Sequence, residues 1–317
     1  MENKYDETKL KQALTVAHLY YEENLGQAAI AKKLEISRPT ISRLLQLAKD
    51  AGFVKIQIEN PFVNSKDLAR ILSEKYQATI KVVPPSYQGK TSSMDRVGAY
   101  TADFLANLVQ PNDIIGIGWG KTIHAVTRQL ENQIVSGVQT VQLKGSFSFG
   151  HEKTYAYESI NELSRAFHTK TQYLPLPTIF DNETTKNLVE QDRYIRSILD
   201  LGKQANIALF TVGSVRKDAL LFNLGYLDEK QKANLQQKAV GDVVSRFIDE
   251  KGRLVDLELD RRTVGIELDE LKKKEHSILV AGGAKKAAAV HAVLRAGYAN
   301  QGIFDSVLAQ KLMNDLN

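Results

Sequence analysis

Residues able to do chemistry gather in this 317-residue chain where glycine runs meet lysines and hydroxyls. The segment Gly116-Ile117-Gly118-Trp119-Gly120-Lys121-Thr122 joins an apolar run to the start of a helix pattern. Glycines let a backbone approach a ligand, and a helix N-terminus presents unsatisfied N–H groups. Thr122 adds a hydroxyl and Lys121 a charge, so the segment can cradle an anion. It is not a P-loop. G-x-x-x-x-G-K-[ST] matches at Gly120, Lys121 and Thr122, but Ile115 stands at the first glycine's place. Nor is it a clean G-x-G-x-x-G, and a ligand-free tight turn would use the same glycines.

Lys144, in Val141-Gln142-Leu143-Lys144-Gly145-Ser146, closes a second apolar run. An amine there, if partly desolvated, loses basicity and becomes nucleophilic toward an aldehyde, giving a Schiff base. A solvated or phosphate-pairing lysine fits the same spacing. Ala281-Gly282-Gly283-Ala284-Lys285-Lys286 repeats the order of apolar run, glycines and helix start, with Lys286 placed to pair with a phosphate. Gly241 to Asp249, GDVVSRFID, offers Asp242 and Arg246 to ligand hydroxyls or phosphate, and Asp249 to Gly252 reads as a turn. These groups together supply phosphate donors, a carboxylate and an amine, which suits a small phosphorylated sugar.

Elements that would position them follow from periodicity. Lys66–Tyr76 spaces Leu68, Ile71, Leu72 and Tyr76 as one helix face, and Thr79–Val83 reads as a strand. Helix Met94–Val109, strand Asp113–Ile117 and helix Thr122–Glu131 follow. Next come strand Val138–Leu143, helix Ser159–His168, strand Asn206–Val212, strand Ser277–Ala281 and helix Ala284–Ala296. Such alternation predicts an α/β fold, a mostly parallel, Rossmann-like sheet with helices on both faces. Ligands bind such sheets at the carboxyl ends of the strands. Asn60-Pro61-Phe62-Val63-Asn64-Ser65 breaks the pattern as a linker, dividing 1–60 from 61–317.

Residues 1–60 read as a winged helix-turn-helix. Leu10, Leu14, Ala17 and Tyr21 predict a first helix over Glu7–Asn24, ended at Leu25-Gly26. Gln27–Leu34 predicts a short second helix with Ala28, Ala31 and Leu34 inward. Ser37 is a good N-cap and Pro39 sits where a missing N–H matters little. The third helix, about Pro39–Ala51, buries Ile41, Leu44, Leu45 and Ala48. Gln27, Ser37, Arg38, Thr40, Ser42 and Arg43 are left as candidates to touch DNA, hydroxyls docking phosphates and arginines reaching base edges or phosphates. The alternating run Phe53–Ile58 is the expected wing. A three-helix bundle with no nucleic-acid role would share this core spacing. Charge over 1–60 is balanced, nine Lys/Arg against eight Asp/Glu, but 25–58 holds six basic and two acidic residues. Turn chemistry, core spacing and the hydroxyl/Arg face agree on DNA.

Composition bounds the rest. Net charge is +5, a mild bias toward anionic partners. There is no cysteine, so disulfides and thiolate metal sites are excluded. The six histidines show no ligand spacing, so neither metal nor cofactor is expected. No apolar run approaches 18 residues, which predicts a cytoplasmic protein with no membrane partner.

Over nearly its whole length the chain resembles the SorC family of bacterial sugar-responsive transcription regulators. The carriers are IAKKLEISRPTISRLL, IGIGWGKT, GDVVSRFID and AGGAKKAAAVHAVLRAGYANQGIFD. The resemblance implies a large domain similar to the sugar-phosphate isomerase and CoA-transferase superfamily, without being an enzyme. It also implies assembly as a homo-dimer or tetramer, and a phosphosugar inducer that weakens affinity for double-stranded operator DNA. Carried onto this sequence, effector contacts fall on Gly118, Gly120, Lys121, Thr122, Asp242, Arg246, Glu267 and Lys286. Many relatives place a glycine-rich, lysine-free segment at Lys144. The lysine points to the deoxyribonucleoside-responsive branch and to deoxyribose 5-phosphate, whose open-chain aldehyde can form an imine. GDVVSRFID carries Val243-Val244-Ser245 where the family often has a glycine. An isomerase-type enzyme carrying a DNA reader, or an activator with the same inducer, would use the same residues. The first lacks a paired acid and base at motif spacing.

Overall fold

The computed structural model describes residues 7–54, 64–86, 91–147 and 153–314. The chain divides into two compact units, Met1–Glu59 and Asn60–Asn317.

The first unit is three helices: α1 (Glu7–Tyr21), α2 (Gln27–Leu34) and α3 (Arg38–Asp50). Its core is Ala13, Val16, Ala17, Leu19, Ile30, Ile41, Leu44, Leu45 and Ala48. α3 matches expectation, with Ser37 capping it through the Thr40 N–H and proline in its first turn. The inward faces of α1 and α2 differ from the sequence reading. On α1, Ala13, Val16, Ala17 and Tyr20 face inward at i, i+3, i+4, i+7, and Leu14 and Tyr21 are exposed. On α2 the buried residue is Ile30, Ala31 and Leu34 are half-buried and Ala28 is exposed. Isoleucine has more apolar surface to remove from water than alanine, so it takes the central position. α1 ends at Tyr21, and the left-handed residue in the turn is Asn24, φ 55°, while Gly26 is extended. The expected wing lies outside the described residues from position 55 onward, as do positions 60–63 of the linker.

The second unit opens with α4 (Ser65–Tyr76), whose N–H groups at Lys66 and Asp67 are capped by Asn64. Then come β1 (Thr79–Val83), α5 (Ser93–Leu108), β2 (Ile114–Ile117), α6 (Lys121–Thr127), β3 (Gln139–Gln142), α7 (Ala156–Ala166) and β4 (Thr171–Gln172). α8 (Glu183–Val189), α9 (Arg193–Gln204), β5 (Ile207–Phe210), β6 (Val212–Gly213), α10 (Glu229–Lys238), β7 (Gly241–Val243) and β8 (Arg246–Ile248) follow. The chain closes with α11 (Leu257–Arg262), α12 (Leu268–Lys272), β9 (His276–Ala281), α13 (Ala287–Arg295), β10 (Gln301–Asp305) and α14 (Ser306–Asn314).

Seven strands form one parallel sheet in the order β1-β10-β9-β5-β2-β3-β4. β2, β3 and β4 build outward one way, and β5, β9 and β10 the other. This is the doubly wound arrangement, and its order reverses between β2 and β5. The strands are apolar on both faces, as sandwiched parallel strands must be. Ile278 and Val280 enter one core layer with α5, α6 and α7. Leu279 and Ala281 enter the other with α4, α13 and α14. A three-stranded antiparallel sheet, β6-β7-β8, grows from the end of β5. The α/β expectation therefore holds. β10 and the β7–β8 hairpin are additions to the sequence reading.

Candidate functional site

The strand order switches between β2 and β5, and ligands of such sheets sit in the crevice at the carboxyl ends of the strands beside such a switch. Gly118 is buried there and its N–H donates to Leu209 O at 2.9 Å, tying the loop after β2 to β5. Gly120 has φ 122°, a conformation that L side chains rarely adopt, and open space where a Cβ would lie. It is the N-cap of α6 and has no side chain to accept the first N–H groups of that helix. Lys121 is exposed and Thr122 buried.

Lys286 reaches into this place from the loop after β9. Its Nζ donates to Thr122 Oγ1 at 3.3 Å and to Thr211 Oγ1, just past β5, at 3.1 Å. The loop is fixed from beneath by Asp305, at the end of β10, whose Oδ2 accepts the Gly283 N–H at 2.9 Å and the Ser93 hydroxyl at 2.7 Å.

Lys144 follows β3 and is 6% exposed. Its Nζ lies 3.6 Å from the centre of the Trp119 ring and donates to Ser245 Oγ at 3.0 Å. Trp119 is itself fixed, its Nε1–H donating to Gly145 O at 2.8 Å. A cation over an indole face is favourable. Desolvation lowers the Lys144 amine from its ordinary value to about 8, against the opposing charge of Asp242. Burial likewise lowers Lys286 to about 8, opposed by Asp242 and Asp305. Asp242 is 5% exposed, and burial pushes its carboxyl up. Lys144, the Ser245 N–H and Lys286 pull it partly back. Two sheltered amines thus share one sheltered carboxylate, an arrangement biased toward an incoming anion.

The remaining expected contacts are placed differently. Arg246 is buried but turned to its own chain. Nε donates to Ile266 O at 2.9 Å, NH2 to Gly265 O at 3.1 Å, and NH1 to the carboxylate and carbonyl of Asp260. With most of its five N–H donors so engaged, it braces the segment that pairs with Lys144 through a Lys144–Gly265 bridge. Glu267 begins α12 just beyond that bridge and is exposed. Sequence reading missed Thr211, Ser245 and Asp305. Each is a single polar residue, and only the fold brings it to the crevice.

In the first unit, α3 presents Arg38, Ser42 and Arg43 exposed and Thr40 half-buried, and Gln27, at the start of α2, is half-buried. The Ser37 hydroxyl meets Thr40 Oγ1 at 2.8 Å, so these two hydroxyls shape the start of the helix. In helix-turn-helix proteins that read DNA, the second helix of the motif is the one that enters the major groove.

A doubly wound domain with this crevice, in one chain with a helix-turn-helix, defines a ligand-responsive transcription regulator. A family described as a sugar-binding domain matches residues 60–314. The deoxyribonucleoside regulator of Bacillus subtilis is 45% identical over 98% of this chain and 100% of its own length. Among solved structures, a domain of a sugar-binding transcriptional regulator from Arthrobacter aurescens aligns with TM-score 0.73 and 31% identity, covering 80% of this chain and 99% of that one. The full-length sorbitol operon regulator SorC of Klebsiella pneumoniae shares the fold, with TM-score 0.71 at 24% identity over 97% of this chain and 100% of that one. The chain belongs to the SorC family of sugar-binding transcriptional regulators. It is a sugar-responsive regulator, and its relatives are regulators rather than enzymes.

Proposed function

We propose that this chain is a cytoplasmic repressor of a deoxyribonucleoside or sugar catabolism operon, released from its operator by deoxyribose 5-phosphate. The observation that carries the reading is the pair of sheltered lysines flanking Asp242, each with its amine lowered to about 8. A five-carbon sugar phosphate carries its phosphate and its aldehyde at opposite ends. Lys286, Thr122 and the Gly120 turn suit the phosphate. Lys144, on its indole, suits the aldehyde. With an amine pKa near 8, roughly a tenth of Lys144 side chains are uncharged at pH 7, against about one in a few thousand for an ordinary lysine. Deoxyribose lacks the 2-hydroxyl and has a populated open chain, so it supplies the aldehyde an imine needs. The identity to the Bacillus subtilis deoxyribonucleoside regulator supports the same branch.

Residues 1–60 serve as the DNA reader, with Gln27, Ser37, Arg38, Thr40, Ser42 and Arg43 at the duplex, and 61–317 as the effector and oligomerisation part. A dimer or tetramer would present paired readers to a palindromic operator. Release requires the sugar phosphate to favour the arrangement with low operator affinity.

Borohydride trapping tests the reading. Deoxyribose 5-phosphate should leave a reduced adduct on the wild-type chain and none on Lys144→Ala, and should reverse operator retardation in the wild type. Undiminished trapping in Lys144→Ala would remove Lys144 as the imine former.

A further inference from the structure

The hydroxyl of Ser245 is wholly buried, and it accepts the hydrogen bond from Lys144 Nζ at 3.0 Å. An unfavourable turn puts it there. β7 and β8 pair with Val243 opposite Arg246, so Val244 and Ser245 form a two-residue hairpin loop. Both have positive φ, 45° and 72°. Such loops prefer Asn-Gly because both residues must be left-handed, and a β-branched residue there is a steric outlier. The turn is fastened by Asp242, whose Oδ2 accepts the Ser245 N–H at 3.1 Å. That carboxylate needs glycine beside it, since a Cβ on Gly213 would lie 1.8 Å from Oδ1. A strained loop, a buried carboxylate and a glycine that makes room for it converge on one hydroxyl against one amine. A hairpin needed only for connection would require none of this, and strain of this kind persists where function uses it.

We propose that Ser245 is the proton shuttle for imine formation at Lys144, with Asp242 as its positioning residue. This rests on the reading of Lys144 as the imine former. Uncharged Lys144 attacks C1 of the open-chain aldehyde: the C–N bond forms and the carbonyl π pair moves to oxygen, leaving an ammonium and an alkoxide. Ser245 Oγ gives its proton to the alkoxide and takes one from nitrogen, through a six-membered ring of N, H, Oγ, H, O and C1. The carbinolamine then loses water. The nitrogen lone pair forms C=N as the C1–O bond breaks, and the departing hydroxyl takes nitrogen's last proton by the same relay. Serine ends unchanged, and amine plus aldehyde give imine plus water.

The test is rapid mixing of the full chain with deoxyribose 5-phosphate, a borohydride quench, and mass measurement of the adduct against time. Ser245→Gly removes the hydroxyl and suits a φ of 72°; Ser245→Ala is the second variant. Thermal stabilisation by 2-deoxyribitol 5-phosphate, which has no aldehyde, shows that each is folded. Both should be trapped about 100-fold more slowly than wild type, the scale of a lost proton-transfer catalyst. Imidazole buffer should restore part of the rate in Ser245→Gly and leave wild type unmoved. Asp242→Ala should slow trapping, and Asp242→Asn, which keeps an acceptor oxygen, should recover most of it. Wild-type speed in Ser245→Gly, or slowness indifferent to imidazole, overturns the shuttle alone. A wild-type chain that is never trapped overturns the imine reading and the shuttle with it.

Discussion

Asp305 and Gly283 meet at 2.9 Å, the carboxylate Oδ2 accepting the backbone N–H of the loop that carries Lys286. The other oxygen, Oδ1, accepts the Leu308 N–H at 2.8 Å in the first turn of α14. One buried side chain thus joins the loop that carries Lys286 to a helix that packs against α4, the first helix of the second unit.

Removing that join should weaken both fold and effector binding. Asp305→Ala deletes a helix cap and leaves the Gly283 N–H without this acceptor, a loss of about 2 kcal/mol by the usual scale of caps and buried hydrogen bonds. Urea unfolding should report it, and Asp305→Asn, which keeps an oxygen for the cap, should recover part. Equal stability of Asp305→Ala and wild type would contradict the assignment.

Imine formation should speed up as pH rises through about 8, because attack needs the uncharged Lys144 amine. Asp242 raises that pKa by its charge, so Asp242→Asn should move the midpoint of the rate profile to lower pH. A midpoint shifted upward, or left in the range of an exposed lysine, would show that burial does not govern the amine.

Trp119 is the sole tryptophan and lies 3.6 Å from Lys144 Nζ. Converting the ammonium to an imine changes the charge on its ring face. Emission should therefore change when deoxyribose 5-phosphate is added to wild type, with the rate seen in borohydride trapping. Lys144→Met should lose that phase. A wild-type emission that stays constant while the adduct accumulates would argue against this geometry.

Operator binding should weaken steeply with salt, since cations on α3 displace counterions from phosphates. Arg43→Ala and Arg38→Ala should each lower affinity. An arginine that grips a phosphate should, when removed, weaken binding to all sequences alike and reduce the salt slope by about one. An arginine that reads a base edge should, when removed, relax specificity at one position. Gel retardation over a salt series distinguishes the two, and an affinity indifferent to salt and to Arg43 would sink the DNA assignment.

The doubly wound sheet was legible because strands buried on both faces write themselves as unbroken apolar runs, such as Ile207–Phe210, each followed by glycine or a helix signal. That Lys144, Thr122, Asp242 and Lys286 lie near one another follows from the same signal: each sits beside a glycine run or strand end. Ser245, Thr211 and Asp305 were not legible. Their chemistry depends on partners 101, 75 and 22 positions away in the chain. Arg246, whose type and motif suggest a ligand contact, has bonds the motif does not announce: its guanidinium donates to the carbonyls of Gly265 and Ile266. The faces of α1 and α2 were misread because each carries two plausible apolar stripes, and only packing chooses between them.

Among the described residues β1 lies at the sheet edge and pairs only with β10, Thr79 to Gln301 through Val83 to Asp305. During synthesis that partner emerges only after more than two hundred intervening residues. The small helical unit ahead of α4 can fold while the rest is still being made, as domains do on the ribosome. The edge strand next to α4 must wait for the carboxyl end. A chain truncated just before residue 301 would therefore keep α4 and its Tyr76–His291 hydrogen bond but leave β1 without the strand it pairs with.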